Sequence, residues 1–447
     1  MGTKSKSLAL VLIALFLTSS VTVLSATSTK TETTWNIQTV DTNGERYGNG
    51  YSAIAIDSNN NPHILYTRGI RDSKFWTSEL MYASWSNSSW SIQRIDSGDA
   101  FDLVLDANNN PHVLYGGKGL MYAIWTGSNW TTQTVDEEFG YGSLALDSSG
   151  NPHVAYTSRY GGNETYRLRY GSWTGSNWSI QTLTESENIP FRVFLALDKN
   201  NVTYLMYGYS TTHYTLPESY WKSQTLKLAI YKNSNWSTQT VASNLTNYGN
   251  MVLDSKGLPH FIYQVQNRES WNSTIYYSSW NGSTWNTEAV VSNDHLDSPN
   301  VNIDMGGLAF DSYDYPHIAY LSSEPNGDLN SVMYARWTGK SWDVQTVDSN
   351  HPTFNPCYLA VDSNGNPHIR FSNAPSSLNG IRQVMYATAI EPPPIYTPTP
   401  NPTAPAFVTS AQMLPIIAAV VVLAVILVSL LLFRRHRKNS SQNKPNI

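Results

Sequence analysis

The chain has 447 residues, 40% of them hydrophobic, with 28 Lys and Arg against 33 Asp and Glu and a single cysteine, Cys357. Two basic residues lie in an N-terminal leader and five follow a C-terminal apolar run, so 21 remain against 33 acids, a net charge near −12 for the part between. Such a surface repels nucleic acid and anionic headgroups, and one cysteine excludes an internal disulfide.

Residues 1–26 read as a secretory leader: Lys4 and Lys6 give the basic start, Leu8–Leu17 the apolar core and Ser25-Ala26 a small-residue exit. Two phrases then recur seven times each. The first is WxxQTV, opening at Trp35, Trp90, Trp130, Trp178, Trp236, Trp285 and Trp342. The second is of the type LALDSSGNPHVAY, with leading aspartates at Asp57, Asp106, Asp147, Asp198, Asp254, Asp311 and Asp362. Successive aspartates are 49, 41, 51, 56, 57 and 51 residues apart, a blade-type period.

Each repeat holds four short runs of strand composition, such as Ser143–Leu146, His153–Thr157, Arg167–Trp173 and Trp178–Leu183. A turn of Asp, Ser, Asn and Gly separates the first two, and Pro152 opens the next strand, where a missing N–H does no harm. Thr-Gly-Ser-Asn joins the last two as a hairpin. The two phrases are offset by one strand: a Trp phrase comes first and an Asp phrase last. A linear solenoid gains nothing from that offset, whereas a ring uses the orphan N-terminal strand to complete its last repeat. The expected fold is all-β, a seven-bladed β-propeller of four-stranded blades with Trp35–Val40 closing the blade of Asp362 and His368, plus one C-terminal transmembrane helix.

Glu391–Pro405 is proline-rich and reads as a semi-rigid stalk. Met413–Phe433 is 21 uncharged residues, enough to cross a bilayer of ~30 Å, and Arg434, Arg435, His436, Arg437 and Lys438 follow at once. Basic flanks stay in the cytoplasm, so the propeller is expected outside. The segments are then 1–26 leader, 27–390 propeller, 391–411 stalk, 412–433 span and 434–447 cytoplasmic tail.

Six Asp phrases end in Pro-His (His63, His112, His153, His260, His317, His368), and the fourth has Thr203-Tyr204. Ring symmetry separates these histidines too widely to share one ion, and alternation puts them on a packing face between blades. The turn oxygens of Asp57, Asn59 and Asn61 echo a calcium loop without its downstream glutamate, while an Asx turn accounts for the aspartate with no ion. No cofactor is expected, calcium being the weaker alternative. Twelve of 15 tryptophans belong to the repeat, and Trp85, Trp125, Trp173, Trp280 and Trp337 are expected to pair with the next phrase's Trp across the hairpin. Nine N-x-S/T sequons precede the C-terminal apolar run, five of them in these hairpins, and suit an exported glycoprotein.

Loops between second and third strands, and between blades, share one rim and are long and irregular. Function goes with irregular loops on a rigid scaffold. The candidate ligand-binding residues there are Trp76, Tyr214, Tyr220, Trp221, Trp271, Arg71 and Arg268. No residues are assigned to catalysis or to a metal.

The hairpin YSSWNGSTW (Tyr277–Trp285) resembles the Asp-box turn of the sialidase-like (BNR-type) propellers, S-x-D-x-G-x-T-W, at Ser278, Gly282, Thr284 and Trp285, with Trp280 in place of the aspartate. The sevenfold Trp-rich repeat is also similar to propeller lectins. The first resemblance implies glycoside hydrolysis by an arginine triad, a Tyr/Glu pair and an aspartate acid, none of which the motif assigns to a position of this sequence; the second implies sugar binding. Three functions follow. The leading one is a non-catalytic, surface-anchored propeller binding a surface glycan or extracellular protein. The alternatives are a sialidase-like hydrolase, with Glu79, Glu187, Glu218, Glu269 or Asp297 as carboxylates, and a structural envelope scaffold.

Overall fold

A computed structural model describes residues 33–44, 52–71, 76–138, 140–160, 165–186, 192–210, 224–267, 272–292, 300–323, 330–351, 353, 356–373 and 382–389. The leader, the stalk and Met413–Phe433 lie outside them; among the described residues no helix is long and apolar enough to cross a membrane. By contact density the chain divides into two units, Met1–Arg336 with Val344–Pro393, and Trp337–Asp343 with Pro394–Ile447.

The described strands form seven antiparallel sheets of four, each a blade. Six are consecutive in sequence, and the seventh has the order N-terminal strand, last, penultimate, antepenultimate. In it Trp35–Asp41 pairs with Gln383–Ala389, from Trp35 opposite Ala389 to Asp41 opposite Val384. The ring therefore closes as the phrase offset predicts, and the edge of Gln383–Ala389 is covered rather than left to recruit another chain. In blade three the strands are Gly140–Leu146, Pro152–Tyr160, Thr165–Trp173 and Trp178–Ser186, longer than the composition suggests because pairing runs on into the irregular rim.

The apolar core lies between blades rather than within one. Ala53, Leu65, Leu80 and Tyr82 of blade one meet Ala100, Leu103, Val113, Tyr115 and Ala123 of blade two. At the seam, Val40, Val384 and Tyr386 meet Ile64, Tyr66, Met81 and Ala83 of blade one. Each fully buried side chain of this size contributes about 1.5–3 kcal/mol, which lets the ring stand without disulfides.

The aspartate turn is the same device seven times. Asp57 Oδ1 accepts the N–H groups of Asn59 and Asn61 at 2.9 and 2.7 Å, and Oδ2 accepts Asn61 Nδ2 at 3.0 Å. Three residues past each aspartate the backbone is left-handed, at Asn60, Asn109, Gly150, Asn201, Gly257, Asp314 and Gly365, which explains the Asn/Gly/Asp choice. Where that residue carries a side chain, it reaches the turn of the preceding blade. Asn109 Oδ1 takes Ser58 N at 3.0 Å, Asn201 Oδ1 takes Ser148 N at 2.9 Å, Asp314 Oδ1 takes Ser255 N at 2.9 Å, and Asn60 Oδ1 takes Ser363 N at 3.1 Å. Glycine stands at the other three interfaces, and a Cβ at Gly257 would come within 2.9 Å of Asp198 Cβ.

Candidate functional site: the axial cavity and its rim

The predicted rim residues mostly lie outside the described residues: Tyr214, Tyr220, Trp221, Arg268 and Trp271 do so entirely. Arg71 and Trp76 face each other in backbone register at the ends of Pro62–Arg71 and Trp76–Ser86, and their side chains are likewise outside. Of the carboxylates considered for catalysis, Glu79 is described. It pairs with Arg94 Nε at 2.8 Å and lies 3.9 Å from Arg68 Nη1. Glu187, Glu218, Glu269 and Asp297 are not described.

The repeated histidines are framework. In six blades the ring bridges its own turn aspartate and a tyrosine on the third strand. His112 Nδ1 lies 2.6 Å from Tyr122 OH with Nε2 3.7 Å from Asp106 Oδ2; His368 lies 2.6 Å from Tyr386 OH and 3.5 Å from Asp362. His63 with Tyr82, His153 with Tyr170, His260 with Tyr277 and His317 with Tyr334 repeat it. Five of these tyrosines also pack near-perpendicular to the outer Trp of the next blade: Tyr82 on Trp130, Tyr122 on Trp178, Tyr170 on Trp236, Tyr334 on Trp35 and Tyr386 on Trp90, at centroid distances of 5.2–5.7 Å. Blade four changes both ends at once, with Tyr204 for the histidine and Leu228 for the tyrosine. Burial lowers the pKa of His63, His112, His153, His260 and His317 despite the aspartate beside each. Burial alone would raise the carboxyls of Asp57, Asp106 and Asp147, but hydrogen bonds from their own turns more than offset it and hold them low. The oxygens a calcium ion would need are thus acceptors of the turn itself.

The hairpin tryptophans pair as predicted, Trp85 with Trp90 at 5.3 Å, Trp125 with Trp130 at 5.6 Å, Trp173 with Trp178 at 5.6 Å and Trp280 with Trp285 at 5.2 Å. In the second unit the described residues are 337–343, with the Trp337 and Trp342 rings 5.5 Å apart. In the Asp-box-like turn the capping role falls to Asn281, whose Oδ1 accepts Ser283 N and Thr284 N at 2.9 Å each. The residue after Trp280 thus supplies the oxygen that Trp280 cannot.

At the axis the first strands of all seven blades surround a cavity of about 360 Å³. Those strands are Ser52–Ile56, Asp99–Leu105, Gly140–Leu146, Val193–Leu197, Asn247–Leu253, Asn300–Phe310 and Tyr358–Val361. Four residues before each turn aspartate stand Ala53, Asp102, Ser143, Phe194, Asn250, Gly307 and Tyr358, all in the wall. The polar ones cap the open edge of the neighbouring strand. Asp102 Oδ2 accepts Leu144 N at 2.8 Å and Ser143 Oγ at 2.9 Å, and its Oδ1 accepts Leu103 N at 2.9 Å. Ser143 Oγ in turn accepts Leu195 N at 3.2 Å, Asn250 Oδ1 accepts Leu308 N at 2.6 Å, and Tyr358 OH accepts Ser52 N at 3.2 Å. Gly307 has no such role; a Cβ there would lie 2.5 Å from the Leu359 backbone nitrogen. Burial pushes the Asp102 carboxyl up to about 6, with those three hydrogen bonds opposing it. Arg370, fully buried with its guanidinium 5.8 Å from the Tyr358 ring centre, is pushed down to about 9 by burial and by Arg382.

Fold and cavity together define a closed seven-bladed β-propeller with a cavity lined by the first strand of every blade. No protein-family model matches the sequence, and no curated protein matches it. Solved structures to which the chain is similar include the polysaccharide lyase Uly1, at 9% identity over 75% of this chain and 89% of that one, TM-score 0.46. The α-L-arabinofuranosidase Arb93A from Fusarium graminearum is 13% identical over 80% of this chain and 98% of that one, TM-score 0.46. The Hadza microbial sialidase Hz136 is 11% identical over 75% and 82%, TM-score 0.37. Likeness at this level transfers no residue role.

Proposed function

We propose that this chain is a surface-anchored, non-catalytic recognition propeller, exported by its leader, held by the span at 412–433, and binding carbohydrate or protein through the irregular rim. The observation that supports it is how the described acids are spent. The seven turn aspartates cap their own turns and six of them face a histidine, Asp102 holds three donors, and Glu79 sits between two arginines. Glycoside hydrolysis needs two carboxyls facing one space, and among the described residues Asp102 is the one carboxylate in the cavity wall. Irregular connections on so rigid a ring suit recognition.

A glycan array probed with the 27–390 fragment tests the reading, alongside a fluorogenic glycoside panel. Binding without turnover supports it. Turnover abolished by replacing one rim carboxylate would refute it.

A further inference from the structure

The fold accounts for the asparagine in several of the sequons. Asn87, Asn201 and Asn244 stand in left-handed backbone at φ 51°, 60° and 61°, which asparagine tolerates better than most side-chain-bearing residues. Asn201 Oδ1 also holds Ser148 N of the preceding blade at 2.9 Å, and its sequon hydroxyl, on Thr203, is buried. Asn281 Oδ1 caps its own hairpin through Ser283 N and Thr284 N. Asn272 is half-buried, and Asn163 lies outside the described residues.

Asn129, Asn177 and Asn235 are different. They stand where the outer strands of blades two, three and four begin. The left-handed residue of the first two hairpins is Gly127 or Gly175, and in the third Asn233 and Ser234 take that conformation. The Asn129 and Asn177 carbonyls close their turns by accepting Thr126 N and Thr174 N at 3.0 and 2.9 Å. Blade six builds the same hairpin with serine, Ser341 O accepting Thr338 N at 3.0 Å. Asparagine is therefore not what this turn requires. The Asn129 and Asn177 amides reach Ser128 and Ser176 Oγ at a long 3.4 Å, and Asn235 Nδ2 donates to Asn233 O at 3.1 Å.

Each of the three is exposed and is followed by tryptophan and then an exposed hydroxyl: Asn129-Trp130-Thr131, Asn177-Trp178-Ser179 and Asn235-Trp236-Ser237. The tryptophan packs on a tyrosine of the preceding blade, Tyr82, Tyr122 or Tyr170. Strand alternation turns the two residues beside it away from that contact. Amide and hydroxyl thus share a solvent-facing side in all three.

We infer that Asn129, Asn177 and Asn235 carry N-linked oligosaccharides, whereas Asn87, Asn201 and Asn281 are sequons that their turns account for. This rests on the export reading above and not on what the rim binds. In the transfer, Nδ2 bonds to the anomeric carbon of a sugar supplied as a lipid-linked glycosyl phosphate. The carbon–oxygen bond to phosphate breaks and the lipid phosphate leaves with the electron pair. One amide proton passes to a base of the transferase, and nothing is oxidised or reduced. The remaining N–H of each nitrogen can keep its contact to Ser128, Ser176 or Asn233. A hydrated oligosaccharide there stands at the head of an outer strand, where it hinders pairing of that strand's edge with another chain.

The test takes the full-length protein from the membranes of cells that make it and measures sugar mass on the peptide around each asparagine. Asn129, Asn177 and Asn235 should be modified in most molecules, and Asn87, Asn201 and Asn281 in few. Any of the three found bare overturns the inference, as does equal occupancy at Asn201. The N-terminus of the same sample separates two failures: bare asparagines on a chain cleaved near residue 27 sink the sites and leave export standing. Made in cells without an N-glycan transferase, Asn129→Ser, Asn177→Ser and Asn235→Ser should each melt with the parent, as the serine of blade six implies. Loss of stability in these variants would return the asparagines to the turn and overturn the assignment.

Discussion

Ser363, in the turn of the last blade, donates both its backbone N–H and its Oγ to Asn60 Oδ1 in the turn of the first, at 3.1 and 2.9 Å. These residues are 303 positions apart in sequence, and their contact lies at the seam already closed by Trp35–Asp41. The ring is therefore held there by a strand and, separately, by a turn.

The two closures can be measured apart. Asn60→Gly keeps the left-handed backbone, φ 65°, and removes only the side-chain acceptor, so it should cost about 1 kcal/mol in chemical denaturation. Deleting residues 27–41 strips the partner strand from Gln383–Ala389 and should lower the melting temperature markedly and promote aggregation. A deletion that melts like the parent would contradict the closed ring.

Framework and rim tryptophans should separate. Trp178 packs on Tyr122 of the preceding blade and on Trp173 of its own, so Trp178→Ala is expected to destabilise by ~3–5 kcal/mol. Trp221→Ala and Trp271→Ala, in irregular connections, should leave the melting temperature nearly unchanged and weaken any ligand held at the rim. Thermal melts beside a binding assay decide it, and the reverse ranking would move recognition onto the blades.

Acid should loosen the ring. His63, His112, His153, His260 and His317 have folded pKa values below the ordinary 6.5. The unfolded chain then takes up protons first as pH falls from about 6.5, so stability is full above that value and declines through the lowered folded values. Asp57, Asp106, Asp147, Asp311 and Asp362 are also held below 3.8, which adds a second loss beneath that pH. Denaturation free energy measured from pH 8 to 3 should be flat, then fall in two stages. Replacing His317 with Gln should make the first stage shallower; an unchanged slope would discount the buried histidines as its source.

Catalysis is expected to be absent. A carboxyl raised to about 6 in a cavity has the look of a general acid, but the hydrogen bonds to Leu103, Ser143 and Leu144 tie Asp102 to the wall. Neither the parent nor Asp102→Asn should release fluorophore from sialosides or common aryl glycosides. Release by the parent that disappears in Asp102→Asn would make this residue catalytic.

The architecture was legible because its determinants repeat. Seven aspartates, seven tryptophans and the one-strand offset between them define blades and closure before any coordinate is known. The histidines were legible as packing residues, yet not their tyrosine partners, which stand 10, 17, 18 or 19 positions downstream as the intervening loop changes length. The cavity wall was not legible at all. Its defining position holds Ala, Asp, Ser, Phe, Asn, Gly and Tyr in turn, so a search for recurring residues passes over it. Asp102 was missed for that reason; a scan for what differs between blades at a fixed distance from the turn aspartate would have found it.

The turn-to-turn contacts have a parity. Passing round the ring from the interface of blades one and two, a side-chain latch alternates with a glycine: latched at one–two, three–four and five–six, glycine at two–three, four–five and six–seven. Seven is odd, so strict alternation is impossible and two like interfaces must be neighbours. The doubled latch falls at seven–one and one–two, on either side of the first blade. The mismatch that an odd count forces thus puts an extra clasp beside the blade whose outer strand comes from the other end of the chain. An inserted or deleted pair of blades would preserve that arrangement, whereas adding or removing a single blade would disturb it.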